Sequence, residues 1–176
     1  MPANKLYFIA LIPPEPVYSA IHELKLKVSD HYGSRQALKS PPHITLISPF
    51  RSEESREKEI LNLIRYHEPE VPIHVTLSGF DHFPGKVLFI HVNENKDLNE
   101  LQANLEQKVR YHEELFSYNY DPRPWHPHIT LGFKDWNREQ FRKAQEEYQN
   151  RLFEAHFDAR ELYLLKHNGK NWEIAD

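Results

Sequence analysis

The sequence predicts an α+β fold: two pseudo-symmetric antiparallel-sheet lobes, with helices on the outer faces and a central cleft. Three observations lead there. The segment Pro-His-Ile-Thr-Leu occurs twice, at 42–46 and 127–131. Each copy follows a proline-containing loop at a matching point of a repeated order of elements: strand, helix, loop, motif strand, helix, hairpin. Along that order the apolar spacing switches between the period of two of a strand and the 3.6 of a helix, the pattern of sheets covered by helices. No Gly/Ser linker separates the halves, so residues 1–176 read as a single domain made of two lobes packed as one unit.

Leu6 to Ile12 is an uninterrupted apolar run closed by Pro13 and Pro14, a buried strand. From Glu15 to Tyr32, Val17, Ile21, Leu24 and Val28 recur at helical spacing, with Gly33 as terminator. His43 to Ser48 alternates as a strand. Ser52 to His67 is a second helix, with Ser52 placed as its cap before an acidic first turn and Ile60, Leu61 and Ile64 inside. Ile73 to Phe80 and Val87 to Val92 flank the turn Phe-Pro-Gly-Lys at 83–86 and form a hairpin. Leu98 to Leu115 is a third helix, with Leu98, Leu101, Leu105 and Val109 as its stripe. Strand 128–133 carries the second motif. Asn137 to Arg151 is a fourth helix. Strands at 153–157 and 161–165 and a final hairpin through His-Asn-Gly-Lys at 167–170 to Trp172–Ile174 complete the chain.

Composition removes several classes of function. The chain has no cysteine, which excludes disulfides, thiolate metal sites and a cysteine nucleophile. Its formal net charge of −4 argues against a long nucleic-acid surface, which would need many cations, but leaves room for a small pocket with a few local ones. The N-terminal apolar run is too short to span a membrane and lacks a signal-like cleavage region. A cytoplasmic monomer with no membrane partner is expected.

In a strand, residues two apart share a face. His43 therefore stands beside Thr45, and His128 beside Thr130, while Ile44, Leu46, Ile129 and Leu131 turn toward the helices. Two imidazoles facing each other across a cleft suit phosphodiester chemistry. One takes a proton from the attacking oxygen while the other gives a proton to the oxygen leaving opposite, and histidine titrates near neutrality. The threonine hydroxyls can donate to the non-bridging phosphate oxygens. No metal and no cofactor is required.

These residues resemble the 2H phosphoesterases, a family named for two His-x-Thr/Ser motifs, and most of all its LigT-like or 2′-5′ RNA ligase branch. The likeness covers nearly the whole chain. Leu6–Pro14 resembles the family's first strand and Pro42–Phe50 its first motif. Phe83–Phe89 (FPGKVLF) resembles the central hairpin, RPWHPHITL at 123–131 the second motif with its Arg-Pro-aromatic lead-in, and 160–174 the C-terminal hairpin. The resemblance implies metal-independent phosphodiesterase chemistry on 2′,3′-cyclic or 2′-5′ linked nucleotides or RNA ends, with ligation of such ends in some members. It implies His43 and His128 as the acid/base pair and Thr45 and Thr130 as phosphate clamps. The chain departs from the family where many members carry an arginine two residues after the second motif's leucine; here that residue is Phe133, and Lys134, Arg123 or Lys166 would have to supply the cation.

Other readings are weaker. His126 and His128 have a His-x-His spacing that could bind metal with Asp121, Asp135 or Glu113, but this leaves the threonines unexplained. Phe50, Phe133, Tyr7 and Phe80 are strand aromatics of the kind found in cores; Trp125 and Phe83 are the candidates for contact with a base. A protein that binds a nucleotide or RNA end without turnover would not need both His-x-Thr pairs intact.

Overall fold

The computed structural model describes residues 4–176. Its elements, in chain order, are β1 (Asn4–Leu11), α1 (Val17–Tyr32), β2 (Ile44–Glu53), α2 (Glu57–Tyr66), β3 (Ile73–Phe83), β4 (Val87–Val92), α3 (Lys96–Tyr111), β5 (His128–Gly132), α4 (Arg138–Tyr148), β6 (Glu154–Ala159), β7 (Tyr163–His167) and β8 (Trp172–Ile174), with short 3₁₀ turns at 36–39 and 54–56. Two four-stranded antiparallel sheets result, ordered β2-β1-β7-β8 and β5-β4-β3-β6.

The lobes are not the two halves of the chain. The first sheet gathers both ends of the sequence, because the C-terminal hairpin β7–β8 pairs with β1; the second is built from the contiguous stretch 73–159. The repeated order of elements is real, but each half of the chain gives its hairpin to the other half's sheet. The helices interlock in the same way. α1, which follows β1, packs on β5 and α4, while α3 packs on both β2 and β3. One apolar cluster contains residues of both sheets, from Tyr7, Ile9 and Ile47 to Val75, Ile90 and Ile129. This exchange places both motif strands at the inner edges of their sheets, where β2 and β5 touch.

Local signals act mostly as the sequence indicates. Gly33 ends α1 with φ +79°, a left-handed conformation that glycine adopts without a Cβ penalty. Ser52 is a correction: it lies within β2, and its buried hydroxyl caps nothing. The working caps are Asn95, which accepts from the Leu98 N–H at 3.0 Å, and Asn137, which accepts from the Gln140 N–H at 2.8 Å. Gly132 ends β5 against Trp136 and α1. A Cβ there would stand 2.8 Å from the indole and 3.0 Å from Val28. Among the described residues, no helix is long and apolar enough to cross a membrane.

Candidate active site

The two histidines are held by the same device. His43, immediately before β2, places Nδ1 2.7 Å from the Pro41 carbonyl; His128, the first residue of β5, places Nδ1 2.7 Å from the His126 carbonyl. A carbonyl only accepts, so each neutral ring carries its proton on Nδ1 and leaves the lone pair on Nε2. Among the described residues neither Nε2 has a hydrogen-bond partner. The device reads directly from the sequence: the proline between donor and acceptor (Pro42, Pro127) holds the chain extended just before the ring.

Aromatic walls set the tilt of each ring. His43 lies 4.8 Å, centroid to centroid, from Phe8 of β1, and Trp172 packs edge-on against the same Phe8 at 4.6 Å. His128 meets Phe83 edge-on at 4.9 Å and Phe89 at 5.1 Å. Thr45 is the cross-strand neighbour of Ala10, and Thr130 that of Phe89. Each threonine thus shares a face with its lobe's aromatic surface.

Burial shapes the charge of the pair. Desolvation pushes His43 down to about 4 despite the Pro41 bond, and the nearby positive charges of Lys25 and His128 add to this. His128 is also lowered, first by burial and then by His126. Lys25 is an unusual neighbour. It projects from α1 into the interior, 1% exposed, and its Nζ donates to the Ser40 carbonyl at 2.7 Å, at the root of the loop that carries His43. Burial brings its pKa down to about 7.

A cleft of about 710 Å³ opens between the lobes, lined by Thr45, His128, Phe83, Trp125 and Gln102 among others. Trp125 closes one wall and ties the lobes together, donating Nε1–H to the Thr45 carbonyl at 3.1 Å. Arg123 stands at the rim, its guanidinium paired with Asp121. Lys166 does not join these residues. It neighbours Tyr7 across the first sheet and binds Glu57 at 2.8 Å and Glu54 at 3.4 Å, on the side that faces α2. Lys134 is exposed in a turn with φ +70°, and the backbone of Phe133 is engaged by the Ser34 hydroxyl at both its N–H and its carbonyl. Among the described residues, no three His, Asp or Glu side chains are grouped to hold a metal.

Sequence reading missed Phe8, Phe89, Lys25 and Gln102. For the last two a signal existed. Lys25 is four residues after Ile21 and three before Val28, and Gln102 stands likewise between Leu98 and Leu105, so both occupy the inner face of an amphipathic helix. Phe8 and Phe89 lie in continuous apolar runs, where alternation cannot show which face meets the cleft.

Two layered lobes with a His-x-Thr strand at each inner edge define a two-histidine α+β protein, and comparison with known proteins assigns it a family. The family model of the 2′-5′ RNA ligase superfamily matches residues 13–171, and the chain belongs to that superfamily. A Geobacillus thermodenitrificans protein, named as a presumed phosphoesterase, is 28% identical over 97% of this chain and 93% of its own length. The crystal structure of Escherichia coli LigT complexed with 3′-AMP superimposes with a TM-score of 0.70 at 16% identity, covering 99% of this chain and 97% of that one. The TT0787 protein of Thermus thermophilus matches with a TM-score of 0.66 at 23% identity, over 98% and 95% of the two chains.

Proposed function

We propose that the protein is a metal-independent phosphodiesterase that opens 2′,3′-cyclic phosphates of nucleotides or RNA ends by two-histidine acid/base catalysis. The observation that carries this reading is the mirrored Nδ1-to-carbonyl bond, which among the described residues leaves a free Nε2 at the start of each inner-edge strand. In hydrolysis one Nε2 takes a proton from water as the water oxygen bonds to phosphorus. The other, protonated, gives its proton to the ribose oxygen as the P–O bond to it breaks. The products are a phosphomonoester and a free hydroxyl, and the two rings have exchanged roles. His43 suits the base, because burial and then the Lys25 charge hold it toward its neutral form, down to about 4; the acid is then His128. Thr45 and Thr130 donate to the non-bridging oxygens, which carry the charge of the transition state.

LigT structures contain 3′-AMP, ATP and NADP+, which supports a small nucleotide as ligand here. The superfamily's description supports a second reading, 2′-5′ ligation of RNA ends bearing a cyclic phosphate. The same four residues can run the transfer with a ribose hydroxyl in place of water.

The test is hydrolysis of the four nucleoside 2′,3′-cyclic monophosphates in EDTA, comparing wild type with His43→Ala and His128→Ala. Turnover that survives EDTA and collapses in both variants is expected. Turnover that appears only on addition of a divalent metal would sink the mechanism.

A further inference from the structure

The part of the cleft built by α3 has a chemistry of its own. Gln102 is buried; its Nε2 donates to the Leu46 carbonyl at 3.2 Å and reaches Glu106 Oε2 at 3.5 Å. Both partners are acceptors, so the amide is fixed with its NH₂ toward them, and among the described residues its Oε1 is left as an acceptor without a partner. Glu106 Oε1 accepts the Tyr118 hydroxyl at 2.9 Å, and burial together with this bond raises the Tyr118 pKa, so the proton stays on the phenol. Gln102, Glu106 and Tyr118 line the same cleft as Thr45 and His128. Their free capacity is all of one kind: lone pairs on an amide oxygen and a carboxylate, with every N–H and O–H of the three already directed at a protein acceptor.

Placement matters as much as chemistry. Gln102 is fastened to Leu46, the residue after Thr45, and Glu106 follows about one turn along α3, roughly 6 Å further. Trp125, fastened to Thr45 from the other side, provides a flat aromatic wall beside this row. Thr45 and this row line one cleft, which offers the base of a nucleotide held at Thr45 a wall of acceptors.

We propose that Gln102 and Glu106 read the base of the substrate and select guanine. The proposal rests on the cyclic phosphodiesterase reading for where the phosphate sits. Guanine alone among the four bases presents two neighbouring donors, N1–H and the N2 amine, on its pairing edge. A carboxylate can accept both at once. Adenine and cytosine set a ring acceptor beside their amine, and uracil flanks its single N–H with two carbonyls, so each would turn a lone pair toward Glu106 or Gln102. A site built from buried hydrogen-bonding groups rejects the ligand that leaves them unpaired.

The experiment is kcat/KM for the 2′,3′-cyclic monophosphates of guanosine, adenosine, cytidine and uridine, with calorimetric binding of the 3′-monophosphates of guanosine and adenosine to the wild-type protein. Guanosine is expected to lead by about five- to a hundredfold, the discrimination of one bidentate base contact, and to do so through KM. Glu106→Gln, which replaces one acceptor by a donor, should bring guanosine down to the level of the other bases. Equal kcat/KM for all four bases, or a Glu106→Gln effect of the same size on each, overturns the proposal while leaving the catalytic reading intact. If no cyclic phosphate is turned over, the catalytic reading fails, and calorimetry decides the base separately. Tighter binding of the guanosine nucleotide supports guanine selection; equal binding of both overturns it.

Discussion

His43 and His128 share a five-residue motif and the same bond from Nδ1 to a carbonyl two residues back, yet different elements stand behind them. His43 leads into the strand at the inner edge of the sheet that gathers both chain ends. It leans on Phe8, and Lys25 is buried behind its loop. His128 opens the matching strand of the other sheet, against Phe83 and Phe89, with the exposed His126 beside it. The motif sets the direction and tautomer of each ring. Its readiness to take a proton is set by the side chains that bury and surround it, and these differ between the lobes. A duplicated motif thus supplies two similarly held rings, and the unduplicated surroundings give them different environments.

Removing one ring at a time should have the greatest effect. His43→Ala and His128→Ala should each lower kcat for cyclic phosphate hydrolysis by about 10²–10⁴, the usual range for a lost general acid or base. The double variant should be scarcely slower than either single one, because two groups that act on one transition state lose their value together. Independent, multiplicative losses would mean that the rings do not act in one step. The threonines ask the same question at smaller scale. Thr45→Val and Thr130→Val keep the shape and remove the hydroxyl, and each should cost about ten- to a hundredfold in kcat/KM, as a hydrogen bond to a charged oxygen does. Measured side by side on one substrate, they show whether the two lobes hold the phosphate equally.

Gly132 has no counterpart in the first lobe. It lets Trp136 and α1 pack directly on β5, two residues beyond Thr130. Gly132→Ala should destabilise the protein by about 1–3 kcal/mol through overpacking, read as a lower midpoint of chemical denaturation. An unchanged midpoint would mean that α1 and Trp136 shift readily, and that β5 is less firmly fixed than β2.

How much of this was legible in the sequence follows from which residues are local. The motif residues declare themselves, because repetition, strand parity and the preceding proline are all short-range. The four helices and the hairpins were equally readable from period and turn chemistry. The exchange of hairpins between the sheets was not, since β7 pairs with β1 across almost the whole chain and nothing near either strand specifies its partner. Lys166 shows the same limit. It lies in a segment that resembles the family's C-terminal hairpin, but its strand parity turns it toward Glu54 and Glu57. Lys25 and Gln102 were visible as polar residues on apolar helix faces. What they meet there depends on loops that only the folded chain brings near.

Lys25 is where the two lobes can be compared most finely. Its folded pKa of about 7 lies below the ordinary lysine value of 10.5, so the unfolded chain binds the extra proton between those limits. Stability should therefore rise with pH above about 7, by on the order of 5 kcal/mol at most. Above about pH 10 the buried Tyr7 and the half-buried Tyr118 oppose this, because their raised pKa values make the folded state the better proton binder there. Lys25→Met should flatten the rise, and a wild-type protein whose denaturation midpoint ignores pH between 7 and 10 would contradict the burial of that charge. Catalysis gives the finer reading. If His43 is the base, kcat/KM should fall as pH drops through its value near 4, and should fall again as rising pH strips the proton from His128, whose pKa is also below the usual 6.5. The optimum then lies on the acid side of neutrality. Removing the Lys25 charge relieves His43 alone, so Lys25→Met should move the acid limb upward by a fraction of a unit and leave the alkaline limb in place. Movement of the alkaline limb instead would exchange the two roles, making His43 the acid and His128 the base.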